Sequence, residues 1–340
     1  MMLASPDEGG TNGPNILSAA LKASTTAAKS VVALTWSSGN LKGSELPAEL
    51  LTNRAHVAIY LLPRTFGTKF PMASEFAELW QYGSSKKHQL EQVGQKPTRS
   101  ICRFQLSEFD GSATVKRVVS ATLEKAIATL PQMSRGETAF DERWEHLRTF
   151  AANVAARRKK EDEWSEKSPD FEATVENPMI LLETRGPGTD TYAANGENPL
   201  NSDAYAAIGP FAARAYLEAE ISKKAGDDRI FVKPTRVGVR IWDDYDFNDN
   251  RAMSILSSVF GKYASQFLGL WNDADKDEVI VLQNSDFRTF REQFMPVYNN
   301  QKPPPERKMI CQDFSPVSNF ATRAIDTGVE YELLGMSATA

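Results

Sequence analysis

The chain has 340 residues, 41% hydrophobic and 24% charged, with 39 Lys and Arg against 44 Asp and Glu for a net charge of −5. That length holds one large or two modest domains, and the acidic balance argues against a dedicated binder of nucleic acid or anionic membrane. No apolar run approaches the roughly 18 residues of a spanning helix, and two cysteines, Cys102 and Cys311, exclude a disulfide framework while leaving room for one bridge.

Residues 1–14, rich in Gly, Asn, Pro and acid, read as a mobile tail with neither the basic nor the apolar stretch of a secretory signal. Ile16 to Val32 is small and Ala-rich, a weak helix or a packing arm. His56 to Leu62, apolar and stopped by Pro63, predicts a strand. Pro71 suits a first helical position, and Phe76, Leu79 and Trp80 share one face beyond it. Ile101 to Leu106 alternates as a second strand. Ser112 is placed to cap a helix striped by Val115, Val118, Val119, Leu123, Ala126, Ile127 and Leu130, ended by Pro131. Phe140, Trp144, Leu147, Ala151 and Val154 stripe the next, whose basic end allows Arg157 to pair with Glu161.

Met179 to Leu182 looks like a buried strand, and the Gly/Pro/Asn-rich stretch Arg185 to Asp203 reads as a long loop and the best candidate boundary. Further strands are expected at Ile230 to Val232, Val237 to Trp242, Val279 to Leu282, Lys308 to Cys311 and Val329 to Leu333, with helices over Ala252 to Ala264 and Asp286 to Phe294. The expectation is an α+β chain with a helix-rich N-terminal half and a strand-rich, mainly antiparallel C-terminal half. Its divisions would be a tail over 1–14, a helix-rich region over 15–177 and an α+β domain over 178–340.

Several catalytic signatures fail. Gly186-Pro187-Gly188 starts like a dinucleotide loop, but Thr191 stands where the third glycine belongs. Ser84-Ser85-Lys86-Lys87 lacks the companion boxes of S-x-x-K enzymes and reads as a polar loop. His56, His88 and His146 lie far apart without the partners zinc needs. The dense cluster is Val237 to Arg251. In strand geometry Val237, Val239 and Ile241 point into a core, while Arg240, Trp242 and Asp244 point the other way. Four carboxylates then fall within seven residues, Asp243 to Asp249. Such like charges raise one another's pKa unless Arg240, Arg251 or a cation neutralises them, as acid/base work or a hard metal ion requires. An exposed turn uses the same residue types, so both readings stand.

Four segments in order carry a resemblance: Ala207-Ile208-Gly209-Pro210-Phe211, the strand ending in Asp243-Asp244-Tyr245-Asp246-Phe247-Asn248, Leu268-Gly269-Leu270-Trp271, and Asp286-Phe287-Arg288. Together they resemble an uncharacterised bacterial domain family with A-[LI]-G-x-F, D-x-Y-D-F-N, L-G-x-W and D-F-R boxes, often encoded near type VI secretion genes. The chain departs from it in the stretch Ala252 to Ser265 and in Pro303-Pro304-Pro305, which replaces a Gly-rich turn before Asp313-Phe314-Ser315. The resemblance implies an antibacterial effector held in the bacterial cytoplasm before delivery into a target cell, and into its periplasm if envelope-directed. A secretion spike or adaptor and an immunity protein would be its partners. Implied alternatives are a non-enzymatic adaptor, chaperone or immunity-type partner of the same machinery. The segment Asp243 to Asn248 is also similar to the active segment of colicin M-type bacteriocins, which cleave the lipid-linked peptidoglycan precursor. That similarity implies a phosphodiesterase with Asp243, Tyr245, Asp246 and Arg251 as catalytic residues, and Asp243 and Asp246 as ligands of a divalent cation such as Mg. The His-Arg pair of those bacteriocins is absent: Ala252 and Met253 stand there, with Arg251 one residue early.

Overall fold

The computed structural model describes residues 50, 52–67, 69–94, 98–131, 145–173, 180–185, 189–198, 201–209, 211–245, 247, 267–273, 278–325 and 328–337. The tail over 1–14, the weak helix or packing arm expected over 16–32 and the helix expected over 252–264 lie outside the described residues, as do Phe140 and Trp144. The chain forms two compact units, residues 1–65 with 247–308 and residues 66–246 with 309–340. Helices gather toward the N-terminal half and strands toward the C-terminal half, so the fold is α+β.

The larger unit is built on two long antiparallel strands, β5 (Ala212–Lys223) and β6 (Arg229–Trp242), paired along their whole length. The outer edge of β5 is tiled by β3 (Trp164–Lys167) and β4 (Ile180–Arg185). The outer edge of β6 is tiled by β11 (Tyr331–Ser337), β10 (Ala321–Ala324) and β9 (Ser315–Ser318). β2 (Arg99–Phe104) runs parallel to β9, and β1 (Glu91–Val93) closes that side antiparallel to β2. The sheet thus draws strands from both sides of position 178, and all its pairings but β2–β9 are antiparallel.

Several expectations need correction. Ala/Glu-rich β5 has a helix-favouring composition that gives no sign of a strand; its strand state comes from burying Ala213, Ala215, Leu217, Ala219 and Ile221 on one side. The two strands expected over 230–232 and 237–242 are one, β6, which passes through Pro234. The loop expected over 185–203 contains the helix α5 (Thr189–Ala194). Lys308 to Cys311 is irregular rather than a strand: Cys311 has φ 46°, and the Ile310 and Cys311 N–H groups donate to Gln81 O. Both cysteines are buried and free, and burial pushes the Cys102 thiol up to about 12.

Helices α2 (Pro71–Tyr82) and α3 (Ala113–Thr129) follow the expected stripes, with Phe76, Leu79, Trp80, Val115, Val119, Leu123 and Ala126 all buried. Ser112 caps α3 by accepting from Val115 N–H at 3.2 Å. Glu197 supports the same terminus, accepting from Thr114 N–H at 2.9 Å and Ser112 Oγ at 2.8 Å. α2 has no cap from its own chain neighbours. Its cap comes from α6 (Asp203–Ile208), where the Asp203 carboxylate accepts from Met72 and Ala73 N–H, both at 3.0 Å. α4 (Glu145–Arg157) buries Leu147, Ala151 and Val154, but Arg157 pairs with Glu166 at 2.6 Å rather than with Glu161, which takes Arg158 at 3.0 Å.

In the smaller unit, α1 (Arg54–Phe66) replaces the strand expected over 56–62. The missed signal is Asn53, whose side chain accepts from His56 N–H at 3.2 Å while its carbonyl accepts from Val57 N–H at 3.0 Å. A short apolar run suits either state, and here the cap decides. Strands β7 (Phe267–Asp273) and β8 (Glu278–Gln283) form a hairpin that leads into α7 (Asn284–Thr289), a π-turn at Phe290–Phe294, and α8 (Met295–Asn299). Phe290, Phe294, Tyr298 and Tyr60 stack there beside His56. Thr289 Oγ1 donates to Asp286 O at 3.0 Å, so at its 3.0 Å contact with His56 it accepts, which places the imidazole proton on Nε2. Burial lowers the His56 pKa, against the raising effect of Asp286.

Gly238, midway along β6, lies under the rings of Phe171 and Phe320: a Cβ there would stand 2.5 Å from Phe171 and 3.0 Å from Phe320. Phe171 is fully buried and has no free direction to yield. Gly238→Ala is expected to destabilise the protein by about 1–3 kcal/mol in chemical denaturation, the cost of overpacking a closed site. An unchanged midpoint would contradict this packing.

Candidate functional site at the end of strand β6

Beyond Trp242 the chain stays extended and keeps pairing with the segment that leads into β9. Asp243 N–H donates to Pro316 O at 3.1 Å, and Tyr245 exchanges two bonds with Phe314, at 2.8 and 3.3 Å. Two of the sequence segments therefore run antiparallel to each other, Asp243-Asp244-Tyr245 against Phe314-Ser315-Pro316. Alternation divides their side chains. Asp244 and Ser315 meet on one side, where Ser315 Oγ donates to Asp244 Oδ1 at 2.7 Å. Tyr245 stacks on Phe314 on the other side, at 5.0 Å and 24°, with Phe76 of α2 edge-on at 6.2 Å. Asp244 is exposed, as a turn residue would be, whereas Asp243 and Tyr245 keep intermediate exposure although protein atoms crowd around both. That combination describes recessed groups.

The register Ala212↔Trp242 sets the start of β5 beside the end of β6, so the segment Ala207 to Phe211 approaches Asp243. Tyr192 of α5 links the two. Its hydroxyl donates to Gly209 O at 3.2 Å, its ring meets Tyr205 edge-on at 5.1 Å, and its phenol lies within electrostatic reach of the Asp243 carboxyl. Burial holds all three phenols, Tyr192, Tyr205 and Tyr245, above their ordinary range. Burial also raises the Asp243 carboxyl well above the ordinary carboxylate range; the Asp244 charge adds to this, and a hydrogen bond from Asp244 N–H opposes it. The effect is to favour the acid form of this carboxyl over its carboxylate, and an acid form is the one that can donate a proton or a hydrogen bond.

Of the four predicted catalytic residues, Asp243 and Tyr245 come together on one side of the strand end, and Asp246 and Arg251 lie outside the described residues. Among the described residues no group of three or more His, Cys, Asp and Glu is placed to hold a metal ion. Tyr192 is hidden in a stretch whose Gly, Pro and Asn content suggests only a loop. Its signal is the short run Thr189-Asp190-Thr191-Tyr192-Ala193-Ala194, helical between two turn-rich flanks. The S-x-x-K segment is a polar loop in which His88 sits 3.2 Å from Glu108 and 3.1 Å from Arg103 O. In the smaller unit, Phe247 stacks on Phe287 of the D-F-R segment at 4.0 Å and 9°. Phe287 and Phe290 are buried and Arg288 is exposed, as the helical reading of that segment expects.

Residues 69–320 match a family of unknown function (DUF6402), and the chain belongs to it. No curated protein and no solved structure matches the chain. No helix among the described residues is long and apolar enough to cross a membrane.

An acid that keeps its proton in the folded state but releases it when unfolded weakens folding as pH rises. The loss begins near the unfolded carboxyl pKa, grows to the raised folded value, and is constant above it. Asp243→Asn, which keeps the acceptor for Asp244 N–H, is therefore expected to melt a few degrees higher than the parent near pH 8. The gap should close toward pH 4, where both side chains are neutral. Parallel melting curves across that range would refute the assignment.

Proposed function

We propose that the chain is an antibacterial effector of a bacterial secretion system that hydrolyses a phosphoester, with the lipid-linked peptidoglycan precursor as its substrate class. Support for the context comes from the four sequence segments and their order; support for the chemistry comes from one observation, the recessed acid form of Asp243 at the end of β6. In this reading a water oxygen forms a bond to phosphorus while the bond from phosphorus to the lipid oxygen breaks. The departing lipid oxygen takes the proton of Asp243, and the attacking water gives its own proton to solvent, from which Asp243 is reprotonated. Tyr245 and Tyr192 keep the surroundings weakly polar and hold that proton in place. In the same reading Asp246 passes the attacking water's proton on to solvent, and Arg251 faces the phosphate, whose oxygens suit a guanidinium. A spike or adaptor would carry the protein out of the producing cell, and an immunity protein would protect that cell.

The test is growth of a bacterium carrying the chain with a periplasmic export signal, beside Asp243→Asn and Asp243→Ala. The wild type is expected to lyse the host and accumulate the free lipid alcohol. Asn, nearly isosteric but unable to supply the proton, is expected to lower cleavage by about 10²–10⁴-fold. Lysis by Asp243→Asn at the wild-type rate would overturn the assignment of the acid. Equal growth of all three strains, with folded and exported protein, would favour the non-enzymatic adaptor instead.

A further inference from the structure

The turn that links α2 to β1 is fastened in three ways. Within it, Ser85 N–H donates to His88 O at 2.9 Å and His88 N–H to Ser85 Oγ at 3.1 Å, while Ser84 and Gln89 pair antiparallel. From α2, the Glu75 carboxylate accepts from Lys87 N–H at 3.2 Å. The third tie is the His88 side chain, which reaches β2 and the short 3₁₀ turn Leu106–Phe109 that follows it. Lys86 and Lys87 are exposed at the tip, whereas the His88 side chain is only 9% exposed.

Both imidazole nitrogens of His88 face acceptors. Nδ1 lies 3.1 Å from the carbonyl oxygen of Arg103, which can only accept, so Nδ1 carries a proton. Nε2 is shut off from solvent, and the group it faces among the described residues is the Glu108 carboxylate, with Oε1 at 3.2 Å. A neutral ring protonated on Nδ1 would aim its Nε2 lone pair at that carboxylate. Only the imidazolium donates to both. The carboxylate is itself held in place, since Glu108 Oε2 accepts from Gln105 N–H at 2.9 Å and leaves Oε1 to His88. Burial pushes the Glu108 carboxyl up, but the bonds from His88 and Gln105 N–H and the charges of His88 and Lys87 outweigh it and hold it below the ordinary carboxylate range. The contact with Glu108 raises the His88 pKa above its ordinary value against the lowering effect of burial, and Glu75 adds to the rise from α2. Of the other groups close by, the Arg103 guanidinium pairs with Glu91 of β1 at 3.0 Å, and the Cys102 thiol, pushed up to about 12 by burial, stays neutral.

We propose that the His88–Glu108 pair is a proton-operated latch: with the proton in place it fastens the Ser85–His88 turn to the end of β2, and when the proton leaves the turn opens. Loss of the Nε2 proton turns that contact from an attraction into a repulsion between a lone pair and a carboxylate. The His88 ring stands edge-on to Phe76 at 6.4 Å, and Phe76 meets Tyr245 at 6.2 Å, so the latch lies one ring away from the end of β6. It does not depend on the hydrolase reading.

The experiment is an NMR pH titration of the full chain. It follows the His88 ring signals, assigned by their absence from His88→Gln, and the exchange of the Ser85 and Lys87 amide protons relative to their intrinsic rates. His88 is expected to titrate above the roughly 6.5 of a free imidazole. Because the folded value is the raised one, the latch is complete below the free value and is lost as pH rises through the folded value. Protection of the two amides should fall by about tenfold across that same midpoint, the loss of one charge-assisted contact. Glu108→Gln keeps an acceptor for Gln105 N–H but removes the charge. Its His88 midpoint should drop below that of the wild type, and its turn should be as weakly protected at low pH as the wild-type turn is at high pH. The wild-type titration decides the matter even if Glu108→Gln fails to fold. A wild-type midpoint at or below the free value, amide protection that stays flat across the midpoint, or an unchanged midpoint in Glu108→Gln would overturn the latch.

Discussion

One extra residue in β6 governs which side chains of this protein face which chemistry. In the pairing of β5 with β6, Ala219 opposes Pro234 and Glu218 opposes Arg236, so Thr235 is unmatched. The bulge changes the phase of the strand. Before it, even-numbered Ile230, Val232 and Pro234 are buried; after it, odd-numbered Val237, Val239 and Ile241 face that side. Asp243 and Tyr245 continue the odd series, while Gly238, Arg240, Trp242 and Asp244 continue the even one. A strand without Thr235 would exchange the two sets, burying guanidinium groups against helices and exposing the acid. Pro234 stands where the ladder is already interrupted, the place a proline in a central strand is tolerated. The bulge is held in turn by Thr235 Oγ1 donating to Glu218 O at 3.1 Å and by Ile325 N–H donating to Thr235 O at 2.8 Å.

How much of this is legible in the sequence follows from the kind of signal each element carries. The helices α2 and α3 are legible because their apolar stripes, Pro71 and the Ser112 cap are local. The division of side chains after the bulge is legible too, since Val237 to Asp244 alternates without a break. β5 is not, because Ala, Glu and Leu are helix formers and only pairing along β6 makes AARAYLEAEISK a strand. The phase change at Thr235 is likewise a property of two strands and has no mark in one. α1 reads as a strand for the opposite reason: Pro63 is a louder local signal than Asn53, yet Thr65 Oγ1 donates to Leu61 O and the helix continues past the proline.

The site shows the same limit. The segments that start with Ala207, Asp243 and Asp313 are far apart in the chain, and their order alone does not say that Asp243 to Tyr245 pairs with Phe314 to Pro316. Contact is imposed by the register Ala212↔Trp242 and by the pairing of Tyr245 with Phe314. Tyr192 and Asp203 extend this from the helical layer. Tyr192 binds Gly209 O beside Asp243, and Asp203 fixes α6 to the first turn of α2, whose Phe76 meets Tyr245. The acid is thus framed by four elements that no single sequence window contains.

The two faces then solve burial in ways that cannot be interchanged. A carboxyl moved into low-dielectric surroundings can escape the cost of a buried charge by keeping its proton, and burial among phenols pushes Asp243 in that direction. A guanidinium has no such exit, because its proton affinity is too high for burial to neutralise it. Although burial lowers the Arg240 pKa, the group stays charged, so its surroundings must meet that charge with π faces and the Tyr216 hydroxyl. Aromatic faces meet the guanidinium from above and below, and the Tyr216 hydroxyl accepts from its Nε and Nη2 edge. One face of the sheet therefore carries a carboxyl whose acid form is favoured and the other a fixed positive charge, and the bulge at Thr235 keeps them on opposite sides.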